Sequence, residues 1–225
     1  MLSIRLSLTR APLIGLLSAS MSFDHSDVSL KSTKVNYQGF LRLETRVVQH
    51  ALYKGGQSPD VRRELLLRGE AVGVLPYDPV RDEVLLIEQF RIGVTRTQHS
   101  PWMLEIVAGI VEPGETHSDV ARREAIEECG CHVKQLEPIV GYYSSPGFTD
   151  EFLTIFCGRI DASNAGGVFG LENEHEDIRA TVYSAEDCFA KLARGEVINA
   201  STVIALQWLQ LNRLRLRSEW APDHD

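Results

Sequence analysis

The stretch from Ala108 to Cys131, A-G-I-V-E-P-G-E-T-H-S-D-V-A-R-R-E-A-I-E-E-C-G-C, constrains this chain more than any other. Thr116 and Asp119 have capping-box spacing, and Gly130 suits the position just past a helix end. The spacing therefore predicts a helix from His117 to Cys129. On that helix Glu124 and Glu128 share one face, with Glu127 flanking it, and Arg123 stands at pairing distance from Glu127. Ala121 and Ala125 lie toward the opposite side and permit close approach to a sheet. Carboxylates bunched on one helical edge repel each other at neutral pH, and a cation among them removes that repulsion. Hard oxygen donors suit Mg²⁺, Mn²⁺ or Ca²⁺ rather than zinc. A solvated acidic helix with internal ion pairs has the same composition, so the helix alone does not decide.

The rest of the chain sets bounds. Its 225 residues make one large domain, or one domain and a small appendage. A hydrophobic fraction of 44% and a charged fraction of 24% are those of a globular chain. The net charge of −8 excludes a broadly basic nucleic-acid coat. No run of 18 apolar residues occurs, which excludes a multi-pass membrane protein. Four cysteines (129, 131, 157 and 188) without CxxC pairing point to a reduced cytoplasm. The acid is concentrated. Residues 105–128 hold seven acids against two bases, and residues 172–177 hold four acids with no Lys or Arg.

Patterning predicts an α/β chain. Strand signals run from Val35 to Tyr53, and Arg62–Arg68 leads into the main body. A hairpin joins Ala71–Tyr77 to Glu83–Phe90 across residues 78–82. Further strands are expected at Trp102–Val107, Ile139–Tyr143, Phe152–Arg159 and Thr181–Tyr183. Gly166–Asp177 is expected to be a loop. Helices are expected at Ala185–Arg194 and Ser201–Arg217, the latter mostly buried through Val203, Leu206, Trp208, Leu209 and Leu211. Residues 1–34 are expected to be a flexible extension. Residues 1–20 faintly resemble a signal or transit peptide, but Pro12 and Gly15 break the apolar run, and a start at Met21 or a disordered tail is the favoured alternative.

The spacing Gly109-x5-Glu115-x7-Arg123-Glu124-x2-Glu127-Glu128-x-Gly130 resembles the box of the Nudix hydrolases. At roughly 7% per fixed residue, a chance match at all seven positions is on the order of 10⁻⁸ per starting point, which decides against the plain solvated helix. Cys131, at a position the pattern keeps aliphatic, is the one departure. Pro146 and the segments 78–91, 174–179 and 203–211 resemble the bacterial ADP-ribose pyrophosphatase branch, and the likeness runs from Tyr37 to Trp220.

The resemblance implies an α/β/α sandwich around a mixed β-sheet (residues 65–225), with a small N-terminal antiparallel sheet (residues 35–64) shared between the subunits of a homodimer. It implies Mg²⁺-dependent hydrolysis of ADP-ribose to AMP and ribose 5-phosphate, with Mn²⁺ able to substitute, and neither nucleic-acid nor membrane partners. The expected metal set is the Ala108 carbonyl with Glu124, Glu128 and Glu176. Glu127 also serves the metal, and Glu115 and Arg123 hold the loop–helix in shape. Glu174 is the expected general base. Arg63, Glu64, Arg91 and Glu151 are expected to meet substrate. Tyr37, Phe40 and Phe148 are expected to pack. Three alternatives stand beside this: another nucleoside diphosphate sugar as substrate, a non-catalytic Nudix-like ligand sensor, and a prenyl diphosphate isomerase.

Overall fold

The computed structural model describes residues 23–220, so the expectations for residues 1–20 lie outside the described residues. The chain divides into two compact units at Leu66/Leu67.

The first unit carries a three-stranded sheet in the order β1-β2-β3, with β1 at Val28–Gln38, β2 at Arg42–His50 and β3 at Val61–Leu67. β1 and β2 are antiparallel, from Val28 opposite His50 to Gln38 opposite Arg42. Residues 28–34 are thus strand and not flexible extension. β1 is exposed along its whole length. Backbone pairing with β2 holds it, and backbone pairing leaves little trace in residue type. Tyr37 and Phe40 are exposed within this unit and do not pack into a core.

The second unit is built on a mixed sheet, ordered β10-β11-β5-β4-β9-β8. Its strands are β4 (Glu70–Asp78), β5 (Glu83–Phe90), β6 (Trp102–Glu105), β7 (Val107–Ile110), β8 (Gln135–Tyr143), β9 (Phe152–Arg159), β10 (Gly167–Phe169) and β11 (Ile178–Ser184). β4 and β9 run parallel, and β4 meets β5 only at the base of their hairpin. Beyond that base the two strands diverge. β7 pairs with β4 and β6 with β5, filling the gap. The expected single strand Trp102–Val107 is therefore two strands broken at Ile106. The reason is a bond: the Ile106 N–H donates to Thr202 Oγ1 at 2.9 Å instead of joining a ladder. β10 lies within the expected Gly166–Asp177 loop, and it is too short to show a periodicity of its own.

Side chains on β4 and β5 alternate between two cores, as a period of two requires. Val72, Val74, Leu85 and Ile87 meet helix α1 (His117–Cys129) through Val120, Ala121, Ala125 and Cys129. Tyr77, Val84 and Leu86 meet α2 (Ala185–Ala193) and α3 (Ala200–Glu219) through Cys188, Phe189, Leu206 and Leu209. This is the α/β/α sandwich with a mixed sheet. α3 departs from expectation at Leu211, which is 87% exposed while Leu206 and Leu209 are buried. A straight helix buries only one stripe, and Leu211 falls off it.

Candidate active site

α1 begins and ends where its local chemistry dictates. The Thr116 hydroxyl accepts the Asp119 N–H, and the Asp119 carboxylate accepts the Thr116 N–H, each at 3.3 Å. Gly130 ends the helix at φ +67, a conformation that favours glycine, and the Cys131 N–H returns to the Ala125 carbonyl at 2.9 Å.

Arg123 ties the helix to the loop before it. Its Nε and Nη2 donate to the two Glu115 oxygens at 2.8 and 3.0 Å, and Nη1 donates to Glu124 at 2.6 Å and Glu127 at 3.0 Å. Gly109 allows Glu124 to lie flat against β7, because a Cβ there would stand 1.6 Å from Glu124 Oε1.

Glu128 is 3% exposed. Its Oε2 accepts the Ala108 N–H at 3.0 Å, and its Oε1 lies 3.5 Å from Gln89 Nε2. Burial pushes its carboxyl up to about 8; the Ala108 N–H opposes this, while Glu124 and Glu176 add to it. Burial raises Glu124 as well, against the pull of Arg123.

The acid-rich loop divides its carboxylates by backbone geometry. Glu172–Glu174 forms a single 3₁₀ turn closed by His175 at φ +56. Glu174 is left exposed, whereas Glu176 is half-buried, accepts the Leu171 N–H at 3.3 Å and raises both Glu124 and Glu128. Gly170 makes room for this turn, since a Cβ there would meet the Glu176 Cβ at 2.7 Å.

The donor chemistry fits a divalent cation. Glu124, Glu128 and Glu176 are oxygen donors; Glu176 makes both Glu124 and Glu128 harder to ionise, Glu124 adds to this at Glu128, and a cation would relieve it directly. Among the described residues, no three acidic, His or Cys side chains converge closely enough to enclose an ion. Glu124 has one oxygen on Arg123, and Glu128 spends its own on Ala108 and Gln89.

The other sequence-selected residues lie on separate elements. Arg91 follows β5, and its Nε donates to Glu105 Oε2 at 2.8 Å. Glu151 precedes β9 and pairs with Arg68 at 3.2 Å. Arg63 and Glu64 lie exposed on β3 in the N-terminal unit. Phe148 is exposed and not packed. Sequence reasoning missed Gln89, although it lies within the segment 78–91 that carries the resemblance. It also missed Glu105, although a lone acid in the apolar run Trp102–Val107 was a visible irregularity.

The fold and this loop–helix define a class, and the comparisons agree with it: the NUDIX domain matches residues 67–225, and the chain belongs to the Nudix family. Among its relatives, the ADP-ribose pyrophosphatase of Escherichia coli K12 is 47% identical over 201 residues, covering 89% of this chain and 96% of the relative. The ADP-ribose pyrophosphatase of Haemophilus influenzae is 41% identical over 207 residues, covering 91% and 95%. A solved structure described as an ADP compounds hydrolase superposes with a TM-score of 0.63 at 19% identity, covering 86% of this chain and 96% of its own, a likeness of fold.

Proposed function

We propose that this Nudix enzyme is a Mg²⁺-dependent ADP-ribose pyrophosphatase that releases AMP and ribose 5-phosphate, with Mn²⁺ able to replace Mg²⁺. What supports this reading is the electrostatic influence of Glu176 on Glu124 and Glu128, with Glu128 bonded to the Ala108 N–H, in a chain of which 89% and 91% are matched by enzymes bearing that name. The Ala108 carbonyl with Glu124, Glu128 and Glu176 would hold the cations, and Glu127 would assist. When bound, the cations neutralise the diphosphate and activate water by Lewis acidity.

The chain's own residues do the rest. Glu174, exposed on its turn, orients the attacking water and accepts its proton. Arg123 keeps Glu124 and Glu127 in register with the loop. Arg91 receives the diphosphate and Glu151 contacts the remainder of the substrate; Arg63 and Glu64 belong to the N-terminal sheet, which the homodimer reading shares between subunits. A homodimer is supported by the exposed apolar side chains of β1, including Val28, Leu30, Val35 and Tyr37. A cytoplasmic setting is supported by four cysteines that all stand as free, buried thiols. No helix among the described residues is long and apolar enough to cross a membrane.

The test is incubation with ADP-ribose and Mg²⁺, with product identification and an EDTA control. Metal-dependent release of AMP and ribose 5-phosphate is expected. A much higher kcat/KM on a nucleoside diphosphate hexose would displace ADP-ribose, and no metal-dependent AMP release would return the chain to a ligand-binding role.

A further inference from the structure

Glu105 is a buried carboxylate, 4% exposed, in an otherwise apolar strand. Such a group is held only when its oxygens are satisfied. Here each oxygen has one named donor: Arg91 Nε reaches Oε2 at 2.8 Å, and Asn199 Nδ2 reaches Oε1 at 2.7 Å.

Asn199 is the N-cap of α3. Its Oδ1 accepts the Thr202 N–H at 3.1 Å and the Ser201 hydroxyl at 2.6 Å. Thr202 in turn accepts the Ile106 N–H at 2.9 Å. The first turn of α3 therefore grips two consecutive residues, Glu105 and Ile106, at the break between β6 and β7. Two residues further on is Ala108, whose N–H binds Glu128.

Arg91 is the free end of this chain of contacts. Its backbone N–H donates to the Pro101 carbonyl at 2.7 Å and its Nε to Glu105, while neither Nη donates to a protein group among the described residues. Its positive charge is felt at Glu128, so the guanidinium lies within electrostatic reach of the acidic cluster. A long arginine near such a cluster, left unheld, would fold onto the carboxylates. Held at Nε, it keeps its planar fork available for the oxygens of a diphosphate.

We propose that Glu105 and Asn199 are positioning residues that clamp Arg91, fixing its guanidinium to receive the substrate diphosphate. This rests on the hydrolase reading above. Only Glu105 of this pair is buried, since the Arg91 side chain is 42% exposed, and so open a pair adds little net stability, so stability alone gives a weak account of the arrangement.

The test is steady-state kinetics with ADP-ribose and Mg²⁺ on Glu105→Gln, Asn199→Ser, Arg91→Ala and the Glu105→Gln/Arg91→Ala double variant. Melting temperatures accompany each. Serine still caps the helix but is too short to reach Glu105, so this variant keeps the question answerable if Glu105→Gln folds poorly. Glu105→Gln is expected to raise KM about tenfold with kcat within about threefold, the pattern of lost binding common to ground and transition states. Asn199→Ser is expected to move KM in the same direction by less. In the Arg91→Ala background, Glu105→Gln is expected to add less than about twofold, because the residue it acts through is gone. An unchanged KM in folded Glu105→Gln and Asn199→Ser overturns the proposal, as does an equal effect in both backgrounds. A wild type that cleaves a different nucleoside diphosphate sugar removes the ADP-ribose reading, and the cycle is then read on that substrate. A wild type that cleaves none overturns both.

Discussion

At Glu128 two demands meet. Burial between α1 and β7 makes ionisation costly, while the metal-ligand role proposed for it would require the ionised form. The Ala108 N–H partly offsets the cost, and a cation held there as proposed would complete the compensation. Replacing Glu128 with Gln keeps the shape and an oxygen for the Ala108 N–H but removes the charge. Glu128→Gln is therefore expected to fold normally and lose on the order of 10³ in kcat, about 4 kcal/mol of transition-state stabilisation. Steady-state rates beside a thermal melt check this, and near-normal turnover would remove Glu128 from the metal set. Glu128 and its neighbours were legible from spacing, because a helical period translates position into a shared face. Glu105 was not, because its meaning lies in contacts with Arg91, 14 residues before it, and Asn199, 94 residues after it.

The β4–β5 turn shows how an element is held in register. Asp78, buried at the end of β4, accepts the N–H groups of Val80 at 2.9 Å, Arg81 at 3.0 Å and Ala162 at 3.0 Å. Burial pushes its carboxyl up, but the Ala162, Arg81 and Val80 N–H groups together hold it below the usual aspartate value. A carboxyl depressed in the fold stabilises at pH above its unfolded value near 3.8, and that stabilisation is lost as pH falls through the folded value. Asp78→Asn is expected to lose about 2 kcal/mol at pH 7 and to show a flatter decline in stability below about pH 4. Urea unfolding at pH 7 and pH 3 reads both, and an equally steep acid decline in the variant would show that Asp78 does not carry it. α3 reinforces the same turn, with Arg213 and Arg217 both donating to Asp82. The hairpin was readable from its residues, but this second tie from far along the chain was not.

On the scale of the whole molecule, the charge of −8 is an acidic site on a nearly neutral body. Cations are what let such a chain accept an anionic diphosphate. Its N-terminal sheet exposes apolar side chains on β1, which the proposed homodimer would cover. Sedimentation equilibrium is expected to give about twice the 25.2 kDa chain mass at micromolar concentration. A single-chain mass there would sink the homodimer.

The sequence by itself determined the loop–helix from Gly109 to Gly130, its caps and its acidic face, because these depend on residues within a few turns of each other. It also carried the hairpin of β4 and β5. Only the tertiary structure decided that β1 begins at Val28, that the strand after Trp102 breaks at Ile106, that Leu211 faces outward, and that Asn199 and Arg91 meet on Glu105. Each of these depends on a partner brought close by folding: β2, Thr202, the packing stripe of α3, and a buried carboxylate. Local rules cannot name a partner that only the chain's path supplies.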